Sequence, residues 1–525
     1  MRLDHLTIRG RFKNLSGFHI DFDERHPMTV VVGRNGSGKS NLLEALTIIF
    51  RDLDLQELPA FSYELAYLCR GHRVEIDADP ERKAAKGYLV KVDGKALPFS
   101  KFAGDAGRSY LPNYVFGYYS GPSNRMEGHF EKHQEKFYEA LIKGKEKPLR
   151  PLFYARPVHS NFVLLAFFVE QDDAVQSFLR DNLRIEGLDY ALFAMREPPW
   201  NSKDGDPRFW YARGAVKDLL ARIYDQSLAP MRLEWKVPTG FRKHTTLEHL
   251  YLFLRSIEDV RQLAAAYTSH QEFFKALEST YISELISEVR ISVITRKTDG
   301  SLTFREMSEG EQQLLMVLGL LRFTREEESL FLLDEPDTHL NPSWSVQYLD
   351  FLKKVGGAQE NSHIIMATHD PLVVAGLDKE QVQILTRDEE TSLITAGQPS
   401  ENPRGMGIAG LLTSEVYGLQ SQLDLDTFRK LDARRRLASK EELSADEREE
   451  LKRLNGELEG LGFATTFRDP DYTAYVQARA RLVRPELNVE ETLSPAAVAE
   501  RRELADQALA NARKATAATA PSMGK

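Results

Sequence analysis

A chain of 525 residues is too long for one compact core, and its 42% hydrophobic and 28% charged content is that of a soluble, multidomain globular protein. A net charge of −9 and an isoelectric point near 5.9 argue against a protein that coats nucleic acid non-specifically, although a local basic groove stays possible. Cys69 is the only cysteine, which excludes an intrachain disulfide and a cysteine-based zinc site. The start, Met1-Arg2-Leu3-Asp4-His5, lacks a signal-peptide core, and the most apolar run, Phe162 to Val169, falls far short of the roughly 20 residues of a membrane span. A cytoplasmic protein with no membrane partner is expected.

Residues 2–32 read as strands, at Leu6-Thr7-Ile8, Phe18 to Phe22 and Thr29 to Val32. The last runs into Gly33-Arg34-Asn35-Gly36-Ser37-Gly38-Lys39-Ser40, which matches the phosphate-loop pattern G-x-x-x-x-G-K-[ST] at every fixed position, and a helix follows. Glycines let a backbone wrap phosphate oxygens, and a helix start offers unpaired N–H groups. Asn35, Gly36, Ser37, Gly38, Lys39 and Ser40 are therefore nucleotide-binding candidates, with Lys39 on the β/γ-phosphates and the Ser40 hydroxyl on Mg²⁺. Val74-Glu75-Ile76, Gly87 to Val92 with an Asp93-Gly94 hairpin turn, and Tyr114 to Gly121 read as further strands. From about 125 to 285 the pattern is mainly helical, with segments near 130–143, 159–182, 214–226 and 247–289. An aromatic loop, Pro198 to Trp200 and Phe209-Trp210-Tyr211, interrupts them beside Lys203, Arg208 and Arg213. Its rings could stack bases, but rings folded back onto the helices are the favoured reading. Strand pattern returns at Val289 to Thr295, with an Asp299-Gly300 turn and Leu302-Thr303-Phe304 after it.

Ser308-Glu309-Gly310-Glu311 opens an apolar helix and by itself is an N-cap with acids in the first turn. Ser329 to Asp334 is a buried strand tipped by Asp334-Glu335-Pro336. After a phosphate loop, the first acid suits ordering Mg²⁺ and the second suits polarising the attacking water. The next strand, Ser362 to Ala367, ends in Thr368-His369-Asp370, which puts His369 beside the ligand crevice of a parallel sheet. Glu335 and His369 are the catalytic candidates; Ser40 and Asp334 are the metal candidates. Beyond 400, a helix is expected from Asp426 to about Lys440, although Asp424-Leu425-Asp426 also spells Asp-x-Asp. A capping box at Ser444 starts a second helix running to Gly460, and Asp469 to Tyr472 starts a short one. Arg434 to Arg436 read as a solvated face paired with acids at 441–442 and 447–450, and the Ala-rich tail from 505 as frayed.

The order and spacing of these motifs resemble the ABC-type ATPase heads of SMC, Rad50, RecF and overcoming-lysogenization-defect (OLD) proteins. Leu3 to Leu15, with Phe12-Lys13-Asn14, resembles their opening strands, and Gly33 to Asn41 their Walker A with its trailing Asn. Met307 to Gln313 resembles their signature, and Asp334 to Pro342 their Walker B and D-loop, with Asn341 where the pattern often has His. The resemblance implies an α/β fold: a P-loop ABC-type head in two halves, 1–125 and 286–400, a mainly helical insertion at 126–285, a helical C-terminal region at 401–490 and a polar tail at 491–525. It implies ATP and Mg²⁺, and heads paired head-to-tail as a dimer or higher even oligomer. Asn41, Ser308, Glu309, Gly310 and Glu311 would then join the nucleotide site, Ser308 and Gly310 reaching the γ-phosphate held by the other subunit. The insert is too short for the coiled coils of SMC proteins, and no nuclease domain is legible after 400. The Q-loop falls at Gln134 or at the strand end Tyr119-Ser120-Gly121.

Leu411 to Tyr475 resembles, more loosely, a tail of stand-alone ATPases from Septu-like, PARIS-like and retron-associated anti-phage systems. That likeness implies a sensor and scaffold that holds a separate effector, such as a nuclease, through nucleotide-dependent dimer closure. The alternatives are a RecF-like repair ATPase clamping duplex DNA, with nucleic acid as a partner, and an assembly protein that turns over little ATP.

Overall fold

The computed structural model describes residues 1–83, 86–145, 151–200, 202–240, 243–295, 302–324, 327–357, 361–388, 390–440, 442–463, 499–500 and 502–510. The chain divides into two compact units, Met1–Gln398 and Pro399–Lys525. The first opens with β1 (Arg2–Phe12), β2 (Leu15–Asp21), β3 (Met28–Gly33), α1 (Lys39–Leu55), β4 (Tyr63–Cys69), β5 (His72–Ala78), β6 (Tyr88–Val92) and β7 (Lys95–Leu97). Then come α2 (Phe99–Phe102), β8 (Tyr114–Tyr119), α3 (Glu131–Ile142), β9 (Leu152–Tyr154), α4 (Val158–Val169) and α5 (Asp173–Ser177). Next are β10 (Ile185–Arg196), α6 (Gly214–Gln226), β11 (Met231–Gly240), β12 (Lys243–Leu254), α7 (Ile257–Ala264), α8 (His270–Ile282), β13 (Ile286–Thr295) and β14 (Leu302–Thr303). The unit closes with α9 (Glu309–Phe323), β15 (Ser329–Asp334), α10 (Pro342–Lys354), β16 (Ser362–Ala367), α11 (Pro371–Val374), β17 (Val382–Arg387) and β18 (Ile394–Gly397).

Three sheets organise these elements. The central one has seven strands in the order β18-β17-β3-β16-β15-β8-β9, parallel except for the β17–β18 pair. Its middle strands have apolar centres, Leu330 to Leu333 on β15 and Ile364 to Ala367 on β16. Every residue of β15 and β16 is buried, as expected where a parallel sheet is covered on both faces. Each such Leu, Ile or Phe contributes about 2 kcal/mol of burial. A neutral, fully buried histidine pins the adjoining sheet to this one. His363 on β16 accepts the Leu3 N–H of β1 at 3.0 Å and lies 3.3 Å from the Thr29 hydroxyl of β3. Burial lowers its pKa to about 3, so it stays uncharged. That adjoining sheet is antiparallel, β2-β1-β4-β5-β6-β7, and its Asp93-Gly94 hairpin turn has both residues at positive φ, 49° and 77°.

The third sheet, β11-β12-β10-β13-β14, corrects the reading of the insertion. Helices α3, α4, α6, α7 and α8 lie where helical spacing placed them, but β10 and β11 were not foreseen and 247–254 is strand, not helix. Leu247, Leu250, Tyr251 and Leu254 fit a helical i, i+3, i+4, i+7 pattern, yet Leu250, Leu252 and Leu254 are the fully buried set, at strand period. Pairing with β10 over Ala191–Arg196 decided between them. The aromatic loop does fold back. Trp200 donates its indole N–H to the Ser283 carbonyl at 2.9 Å, and Phe209 is buried edge-on to Tyr224; only Tyr211 is left substantially exposed.

The second unit holds α12 (Gly407–Thr413), α13 (Leu425–Ala438) and α14 (Ala445–Gly460). Asp424 caps α13, which disposes of the Asp-x-Asp spelling, and Ser444 with Glu447 forms the capping box of α14. Three expectations change. Arg434 is buried rather than solvated, and Arg436 pairs with Asp432 at 2.7 Å, inside its own helix. Of the acids assigned to them, Glu447 pairs with Lys440 and Glu450 with Arg453. Residues 502–510 are helical, so the tail is not frayed at 505. The Asp299-Gly300 turn, the Asp469 to Tyr472 helix start and the tail beyond 510 lie outside the described residues. Among the described residues no helix is long and apolar enough to cross a membrane.

Candidate nucleotide site at the strand ends of the central sheet

β3 is flanked by β16 and β17, and β16 separates it from β15. The parallel register puts Val31, Ala367, Asp334 and Tyr119 level with one another, so the loops leaving β3, β16, β15 and β8 share one edge. Here an open α/β sheet binds ligands.

The loop after β3 has glycine where the backbone demands it. Gly33 and Gly38 have φ of 150° and 96°. A Cβ on Gly33 would stand 2.5 Å from the Leu385 carbonyl oxygen, and one on Gly38 2.9 Å from Leu15 Cδ2. Asn35 and Gly36 are exposed, while Ser37 and Lys39 are buried and the Ser37 hydroxyl has no hydrogen-bond partner among the described residues. Lys39 donates to the Gly33 carbonyl at 2.8 Å. Burial lowers the pKa of its ammonium, against an upward pull from Glu335 and Asp334. The Ser40 hydroxyl is hydrogen-bonded to Asp334, whose carboxyl burial pushes up to about 6. A buried acid this poorly compensated, held against a hydroxyl at the start of a helix, fits a divalent cation.

Glu335 follows in the left-handed region, with φ 53°, a strained conformation for a residue with a side chain. Its N–H bonds the Ala367 carbonyl at 2.8 Å, and its Oε1 lies 3.1 Å from His369 Nδ1. The two catalytic candidates, from adjacent strand ends, are therefore in contact. Around them stand residues that the motif reading spelled out without giving them a role. Thr338 donates to the Glu335 carbonyl at 3.0 Å, and Thr368 donates to Asp337, a buried acid also raised to about 6 by burial. Thr368, directly before His369, was the legible clue.

A second missed group lies along α1. Glu44 bonds Lys13 at 2.6 Å, His129 at 2.8 Å and Arg125 at 3.0 Å. Burial would raise its carboxyl, but hydrogen bonds from these three partners bring it down to about 2. Arg125 also reaches Asn41, Asn41 reaches Asn14, and Asn14 donates to the Gly36 carbonyl at 3.0 Å. Lys13 and Asn14 sit in the opening Phe12-Lys13-Asn14 motif; nothing in the spacing marks Arg125.

Ser308 and Glu311 form the capping box of α9, with Ser308 and Glu309 exposed. Gly310 is buried against the loop after β15, where a Cβ would stand 2.3 Å from the His339 carbonyl oxygen. Gln134 lies on α3, bonded to Arg156, so it is no strand-end glutamine. The Ser120 N–H bonds the Asp334 carbonyl at 3.2 Å, at the end of β8.

A family model described as "AAA domain, putative AbiEii toxin, Type IV TA system" matches residues 234–375, and one described as "AAA ATPase domain" matches residues 1–88. The chain is 29% identical over 234 residues to a Septu protein PtuA of Bacillus mycoides (strain KBAB4), covering 41% of this chain and 32% of that protein. It is 24% identical over 477 residues to a retron Vc95 probable ATPase of Vibrio cholerae serotype O1 biovar El Tor, covering 82% and 83%. It is 32% identical over 111 residues to a DNA replication and repair protein RecF of Lactobacillus acidophilus, covering 21% of each. The chain thus spans about a third of the Septu protein and a fifth of RecF. By these likenesses the chain is similar to AAA ATPase domains in two stretches, and to Septu, retron and RecF proteins over part or most of its length.

Proposed function

We propose that the chain binds ATP with Mg²⁺ and hydrolyses it as the cytoplasmic sensor and scaffold subunit of an anti-phage defence complex, releasing or restraining a separate effector such as a nuclease. The observation that carries the chemistry is the meeting, at one sheet edge, of Lys39, the Ser40–Asp334 pair and the Glu335–His369 pair. In this reading the loop Asn35 to Ser40 and Asn41 hold the triphosphate, with Lys39 against the β- and γ-phosphates. Ser40 and Asp334 would hold Mg²⁺, which draws charge from the phosphates as the bond to the leaving group breaks. Glu335 takes the proton of the attacking water, and His369, 3.1 Å away, orients that carboxylate. Ser308, Glu309, Gly310 and Glu311 complete the site of a second head, which makes the functional unit a head-to-tail dimer or a higher even oligomer. The defence role rests on likeness to the Septu and retron proteins.

Glu335→Gln is expected to keep nucleotide binding and cut turnover at least about a hundredfold, trapping paired heads on ATP. Wild-type turnover in that variant would remove Glu335 from the base role. The composite site has its own test. Mixing Lys39→Ala with Ser308→Arg chains, each inactive alone, restores about a quarter of wild-type activity if sites are shared between heads, and none if each head is self-contained. Native mass spectrometry of the protein expressed with its neighbouring genes then tests the scaffold role. A bound second gene product supports it; a lone ATP-dependent dimer that shifts on adding duplex DNA supports a RecF-like clamp instead.

A further inference from the structure

β11 is the outer strand of the five-stranded sheet, and its free edge is unfinished on both faces. Met231, Leu233 and Trp235 point to one face and are 52%, 38% and 53% exposed; Arg232, Glu234 and Lys236 point to the other. A long edge strand with a solvated apolar stripe is a template for strand pairing, and natural proteins cover such edges. The charged face is unbalanced as well. Glu234 stands directly opposite Glu248 on β12, a like-charge pair. Arg232 serves Glu248 at 2.6 Å, while the Glu234 carboxylate has no hydrogen bond or ion pair among the described residues.

We propose that β11 pairs antiparallel with β11 of a second copy of this chain, about a two-fold axis through Leu233. In that register the strand is complementary to itself on both faces. Leu233 meets Leu233 and Met231 meets Trp235 on the apolar face, while Arg232 meets Glu234 twice on the charged one. Glu234 thereby gains the cation it lacks. Neighbouring two-fold registers fail: centring on Glu234 sets Glu against Glu and Arg232 against Lys236, and centring on Arg232 sets Arg against Arg. Pro230, with no N–H to donate, ends the ladder opposite Lys236. Two five-stranded sheets become one continuous sheet across the axis, independent of nucleotide.

The test uses the full-length chain without nucleotide. Antiparallel partners stand about 4.5–5.5 Å apart at Cα, within disulfide reach, and the one native thiol, Cys69, is fully buried. Leu233→Cys is expected to cross-link to itself on mild oxidation. Met231→Cys and Trp235→Cys are expected to cross-link poorly alone and well when mixed. In sedimentation velocity, Glu234→Arg and Arg232→Glu each weaken self-association at least about tenfold, and mixing the two restores a one-to-one pair because both lost attractions return across the axis. Absence of the Leu233→Cys cross-link, with unchanged masses for the charge variants, overturns the proposal. So does protection of Met231, Leu233 and Trp235 only when single-stranded DNA or an effector protein is added, which gives the stripe to that partner. Because nucleotide is absent throughout, failure here leaves the head-to-tail pairing standing.

Discussion

The two sides of α1 treat a buried acid in opposite ways. Along its flank, Glu44 is surrounded by Lys13, Arg125 and His129, and their hydrogen bonds override burial to bring its carboxyl to about 2. At its tip, Asp334 has the Ser40 hydroxyl as a hydrogen-bond partner and feels Arg125 and Lys39 through space, and burial leaves its carboxyl at about 6. The flank is electrostatically complete and locks the phosphate loop to β1 and to the chain after β8. The tip is short of positive charge, the condition in which a divalent cation brings more than it displaces. The contrast separates scaffold from site without any motif.

Glu44→Ala carries the largest expected effect on stability. It leaves Lys13, Arg125 and His129 without their shared carboxylate and should lower the unfolding free energy of the first unit at pH 7 by about 3 kcal/mol, measured by urea titration. Because its folded pKa is depressed, the stabilisation from Glu44 is complete above its usual value near 4.5 and is lost as pH falls towards 2. Asp334→Asn should act in the other direction. An acid raised from 3.8 to about 6 costs about 2–3 kcal/mol once ionised, so the nucleotide-free variant should be more stable than wild type at pH 7.5 while losing Mg²⁺-dependent turnover. The gain should shrink as pH falls through 6 and vanish below about 4, where the wild-type acid is protonated in both states. A variant no more stable than wild type at pH 7.5 would undo the contrast. Smallest is Arg436→Ala, which removes a half-exposed pair within α13 and should move the unfolding midpoint of the second unit by less than about 0.5 kcal/mol.

What the sequence made legible follows the same division. The phosphate loop, the acid-tipped strand and the capped helix at Ser308 could be read because turn geometry, phosphate chemistry and metal ligation demand particular residues at fixed spacing. Buried parallel strands such as β15 and β16 were legible because their apolar runs are too short for a helix and end in the polar groups that a strand end carries to a ligand crevice. The third sheet was not, since β12 satisfies helical and strand periods together and only its long-range pairing with β10 selects one. Arg125 was invisible for a related reason. It belongs to the Glu44 cluster across a separation of 81 positions, and no local rule connects them.

Glu335 carries one more consequence. Its left-handed backbone, φ 53°, is one that glycine adopts without strain. Glu335→Gly therefore removes the acid while relaxing the fold by about 1 kcal/mol, so the altered chain escapes the proteolysis that clears most damaged proteins. If heads share their sites, such a chain enters assemblies beside intact copies and leaves each mixed pair with one dead site. An allele of this kind lowers activity in a cell carrying both versions, as a partly dominant change, where a change that merely unfolds the protein behaves as recessive.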